Sequence, residues 1–115
     1  MRLTFLIFAS VIPLAAAENW QDVVRDRIPL YGHRNWIVIA DSAYPAQSRE
    51  GIETVVADAG ELEVTKFVLA ALAASKHAKP IIYTDRELGF VKEDDAPGIR
   101  LYRSRLTDLI AGNAD

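Results

Sequence analysis

Tyr31-Gly-His-Arg-Asn-Trp-Ile-Val-Ile-Ala-Asp-Ser-Ala-Tyr-Pro45 is the stretch on which the fold turns. Within it, residues 36–40 (Trp-Ile-Val-Ile-Ala) form a short, β-branched, uninterrupted apolar run. Such a run reads as a strand buried on both faces, as in a parallel sheet. Gly32 before it and Pro45 after it are turn signals. His33 and Asp41 bracket the run, eight positions apart. A straight strand rises about 3.3 Å per residue, so it holds its two ends well apart. Three arrangements remain open: the two residues serve different environments, the preceding loop folds back, or a second subunit brings a copy of one to the other.

Upstream, Asn19 is a candidate N-cap, and residues 20–28 read as a helix that Pro29 ends. Downstream, 53–57 reads as a second strand and 61–75 as the clearest helix. In that helix Val64, Phe67, Val68, Ala71 and Leu72 recur at helical spacing, with Glu61 and Glu63 in the first turn. A third strand is expected at 79–83, with Pro80 at its first position, where proline is tolerated. Residues 86–91 suggest a short helix, 99–103 a fourth strand, and Ser104 the cap of a last short helix reaching about Ile110. Helices alternating with apolar runs predict a single α/β domain around a mainly parallel sheet flanked by helices. Ligands on such sheets sit beyond the carboxyl ends of the strands. Asp41, Asp58, Thr84 and Asp85 would lie along that edge.

Residues 1–17 are set apart as a signal peptide. Arg2 gives a short positive start, residues 3–14 are mostly apolar, and Ala15-Ala16-Ala17 fits a cleavage site. The apolar run is shorter than the roughly 20 residues a membrane span needs. The expectation is an exported chain, periplasmic or secreted, folded from residue 18 to 115. That chain keeps all 16 acids and loses Arg2, moving the formal charge from −3 to −4. There is no cysteine, so disulfides and thiolate metal sites are excluded. Two histidines are too few for a histidine-rich metal site. No basic stripe marks a nucleic-acid partner. No glycine-rich dinucleotide loop, P-loop or serine elbow is present, so neither nucleotide cofactors nor a hydrolase nucleophile is indicated.

His33 carries an imidazole, a group that can give or take a proton, and an aspartate beside an imidazole orients it. Asp41 could equally cap its own turn. Tyr83 and Tyr102 fall in expected strands, where tyrosine ordinarily packs. Arg34, Arg49, Arg100 and Arg103 read as solvated, His77 as a structural residue after a helix end, and Glu93, Asp94 and Asp95 as a solvated loop.

Gly32-His33, the apolar run, Asp41, a small residue and Pro45 together resemble the signature of the ribose pyranase and fucose mutarotase family. The resemblance is closest over residues 22–52. It implies an α/β fold assembled into rings, with sugar sites between subunits. It also implies cofactor-independent interconversion of pyranose and furanose forms, or of anomers, of a free monosaccharide. The catalytic roles fall on His33 as acid–base and Asp41 as its partner. Arg34, Tyr44, Tyr83 and Tyr102 are the candidate substrate contacts, and no metal or other cofactor is expected. Tyr102-Arg103-Ser104 is only a loose counterpart of the family's Tyr-x-Asn. Two further readings stand beside this one: a non-catalytic exported module that binds a sugar or other small polar ligand, and an oligomeric structural protein.

Overall fold

A computed structural model describes residues 19–113; the expected signal peptide at 1–17 lies outside them. Three α-helices carry the architecture: α1, Trp20–Arg27; α2, Glu61–Ala74; and α3, Ile99–Ala111. A 3-10 turn, Ile28–Leu30, continues α1, and a second, Arg86–Phe90, precedes α3. None of the helices among the described residues is long and apolar enough to cross a membrane.

α1 begins as its sequence suggests. The Asn19 side-chain oxygen accepts from the Gln21 N–H at 2.9 Å, satisfying one of the free donors at the helix start. Asp22 in the first turn pairs with Arg25 at 2.9 Å. Pro29 has no N–H to continue the ladder, and the chain tightens into the 3-10 turn there. α2 starts at Gly60 and closes at Ser75, whose N–H donates to the carbonyls of Ala71 and Leu72. Its buried side chains, Thr65, Val68 and Leu69, recur at i, i+3 and i+4 along one face. The Thr65 hydroxyl donates to the Glu61 carbonyl at 2.8 Å, so its burial leaves no orphan. Val23 and Ile28 complete the set of buried apolar residues. The Trp20 ring meets Phe67 edge-on with centroids 5.0 Å apart, and the Arg25 guanidinium covers the same ring at 4.9 Å. Such ring and cation contacts add modestly to area burial.

The expected parallel sheet is absent: the described residues contain no strand, and the α/β fold gives way to an all-helical one. No main-chain hydrogen bond joins 36–40, 53–57 and 80–83 to one another. β-Propensity describes fit to a pleated, half-buried surface and does not supply the partner backbone that makes a ladder. Here other contacts fix the runs. Arg27 holds Glu53 with two bonds of 2.8 and 2.9 Å, tying the second run to α1. Trp36 and Tyr83 meet through their rings, 5.9 Å apart, and not through their main chains.

Residues 99–103 are likewise helical, not a fourth strand. α3 starts five residues earlier than Ser104, which lies inside it. Its half-buried positions, Ile99, Tyr102, Arg103, Leu106, Leu109 and Ile110, follow a helical repeat. Gly98 precedes it at φ 93°, a left-handed conformation suited to glycine. Glu93 is no solvated loop residue. Its carboxylate accepts from the Gly98 N–H at 2.6 Å and the Arg100 N–H at 3.1 Å, capping α3 from outside. Arg103 is also corrected: its guanidinium, half-buried, donates to the carbonyls of Leu88 and Val91 at 2.8 and 3.0 Å and fastens the second 3-10 turn to α3.

Candidate functional site

Asp41 sits where the apolar run gives way to a turn. One carboxylate oxygen accepts from the Ala43 N–H at 2.7 Å, and its carbonyl accepts from the Tyr44 N–H at 3.1 Å. The short side chain thereby folds the backbone after the run, as aspartate does in such turns. The first turn of α2 contributes Glu61, and one turn into α3 comes Tyr102. These three residues share one electrostatic neighbourhood. The Tyr102 hydroxyl is pushed up to about 12, first by burial, then by the negative charge of Glu61 and its hydrogen bonding, then by the charge of Asp41. A carboxylate opposes the ionisation of a neighbouring phenol because two negative charges would then stand side by side. The cluster presents carboxylate acceptors and a phenol that keeps its proton, a set that can hold the hydroxyls of a polar ligand.

His33 makes no hydrogen bond or ion pair with any of these three among the described residues. Its imidazole is exposed. The turn that carries it is nonetheless well held. Gly32 N–H donates to the Asn35 side-chain oxygen at 2.7 Å, and Asn35 N–H returns to the Gly32 carbonyl at 3.0 Å. The adjacent Tyr31 carbonyl accepts from Nε2 of His77 at 2.9 Å, while Nδ1 of His77 meets the Ser75 hydroxyl at 2.7 Å. A carbonyl can only accept, so Nε2 carries a hydrogen and donates it there. His77 is thus a brace between the end of α2 and the His33 turn, which its position after a helix did not reveal.

Of the candidate substrate contacts, Tyr102 belongs to the Asp41 cluster. Tyr83 lies against Trp36, and the Arg34 and Tyr44 side chains are exposed and make no hydrogen bond among the described residues. Sequence reasoning missed Glu61, which read only as a favourable charge at a helix start. Two open grooves lie elsewhere. One of about 570 Å³ runs between α2 and α3 past Leu62, Lys66 and Arg105. One of about 420 Å³ runs between α1 and α2 past Ile28, Phe67 and Ala71. Among the described residues no group of three or more His, Cys, Asp or Glu is placed to hold a metal ion. No family model, curated protein or solved structure matches this chain.

Proposed function

We propose that the chain opens and recloses the ring of a free monosaccharide without a cofactor, as a mutarotase or pyranase. The observation that carries this reading is the Asp41–Glu61–Tyr102 cluster. In it the charges of Asp41 and Glu61, residues remote in sequence, bear on the Tyr102 hydroxyl, and Asp41 is the aspartate that the family resemblance selects. In the reaction the anomeric hydroxyl loses a proton as the bond from the anomeric carbon to the ring oxygen breaks, and the ring oxygen gains a proton. Closure on the other face, or by another hydroxyl, reverses both transfers. His33 moves the proton, and Asp41, Glu61 and Tyr102 hold sugar hydroxyls. Arg34, Tyr44 and Tyr83 are the remaining sugar contacts. The resemblance implies sugar sites between the subunits of a ring-shaped homo-oligomer, where a second copy would bring His33 to Asp41, and the leader-like sequence of residues 1–17 makes the protein exported, periplasmic or secreted.

The lack of any bond between His33 and Asp41 within one chain favours a second reading, a module that binds a small polar ligand without chemistry. Saturation-transfer NMR with a panel of pentoses and hexoses separates the two. Accelerated exchange that falls at least about 100-fold in His33→Ala is expected for acid–base catalysis. Full exchange in that variant would remove His33 from the reaction. Saturable binding with no acceleration for any sugar would replace the enzyme by the binding module.

A further inference from the structure

Exposure alternates along the two apolar runs whose rings touch. Trp36 and Val38 are 76% and 69% exposed, whereas Ile37 falls to 40% and Ile39 is half-buried. Ile81 and Tyr83 are 81% and 71% exposed around a half-buried Ile82. Trp36, Val38, Ile81 and Tyr83 are thus the more exposed apolar residues of the two runs, which the Trp36–Tyr83 contact joins. Nothing among the described residues covers them. We infer that these side chains form a self-association surface, occupied by a second copy of the chain related by a two-fold axis. Each run then lies across a reversed copy of itself. The inference does not depend on any activity, and it restores no sheet within the chain.

Two observations select a second copy as the occupant. The first is charge. Arg34 precedes the first run and Asp41 follows it; Lys79 precedes the second and Asp85 follows it. A two-fold axis crossing both runs reverses each against itself, so every base at one end meets an acid at the other, as an isologous interface requires. Arg34 and Lys79 make no ion pair within the chain among the described residues. The second is area. A stable interface takes about 800 Å² from each partner, and apolar patches on monomers rarely exceed a few hundred. The two aromatic rings alone, at 71% and 76% exposure, offer roughly 300 Å² of that. The aliphatic neighbours extend it, while the buried apolar set among the described residues is Val23, Ile28, Val68 and Leu69.

Sedimentation velocity of the full chain over a concentration series tests this, with circular dichroism to verify that each variant keeps its helices. The expected result is a dimer, or an even-numbered assembly built from it. Ile81→Asp buries a charge on each side of the axis and should weaken it about 100-fold or more. Lys79→Glu and Asp85→Lys should each weaken it about tenfold through like charges at both symmetric contacts, and the double swap should restore most of the loss. Trp36 emission should shift red as the assembly dissociates. A monomer at every concentration overturns the proposal, as does an assembly indifferent to Ile81→Asp. Single charge reversals that weaken assembly without rescue in the double variant overturn the two-fold arrangement. If Ile81→Asp fails to fold, the surface charge swap still decides.

Discussion

Tyr102 keeps its proton to about pH 12, whereas a phenol in an unfolded chain releases it near pH 10. Between those values the folded chain binds more protons than the unfolded one, so stability falls as pH rises through that window and is unaffected by this group below it. Tyr102→Phe should flatten the alkaline loss in denaturation curves and abolish a phenolate absorbance step near pH 12. Glu61→Gln should move that step down, because the opposing charge is gone. His77 works at the same scale by geometry. His77→Ala frees the Tyr31 carbonyl and the Ser75 hydroxyl, both near solvent, and should cost about 1 kcal/mol in chemical denaturation. If His33 acts from this turn, the same variant should lower sugar turnover more than sugar binding, a split that loss of stability alone would not produce. Neither Glu61 nor His77 stood out in the sequence. Their roles depend on groups brought up from elsewhere: Tyr102 for one, and Tyr31 with its companion Ser75 for the other.

Helices were legible where local chemistry decides them. Asn19 and Pro29 mark the ends of α1, and the apolar repeat of 64–72 marks α2. α3 was half legible. Ile99, Tyr102, Leu106 and Leu109 have a helical repeat, but Ile99, Leu101 and Arg103 also alternate, and the short window favoured the wrong period. The device that settles it is Glu93, whose cap spans five residues to Gly98 and so lies beyond the usual N-cap offset. The two N–H donors hold its carboxyl below the value of 4.5 that a glutamate otherwise shows, and Arg100 lowers it further. A depressed carboxyl contributes stability above its unfolded value, and that contribution is lost as pH falls through the folded one. Glu93→Gln, which keeps an acceptor oxygen, should retain most of the helix and lose its acid dependence below about pH 4.5. Glu93→Ala should lower both helix content and melting temperature at neutral pH. Circular dichroism across pH distinguishes the two. Glu53, lowered first by its hydrogen bond to Arg27, should weaken the tie between α1 and the 53–57 run over the same acid range.

For the molecule as a whole, the β-branched runs promised a sheet and the chain builds none among its described residues. Whether apolar runs pair depends on long-range placement, and a single sequence encodes that only through contacts such as Arg27–Glu53 and Trp36–Tyr83. At the candidate site, the sequence picked out Asp41 and Tyr102 singly and not the effect of the Asp41 charge on the Tyr102 hydroxyl, while His33 makes no bond to Asp41 among the described residues. Among the described residues the buried apolar side chains come from 20–30 and 61–74. That division sets an order of events during synthesis. The interior cannot close until α2 has been made, and everything in 31–60 must wait as one loop. The entropy of such a loop grows only with the logarithm of its length. Lengthening or shortening the Asp41–Gly51 turn over evolutionary time would therefore leave the interior nearly undisturbed, whereas a break between α1 and α2 would leave it nothing to form from.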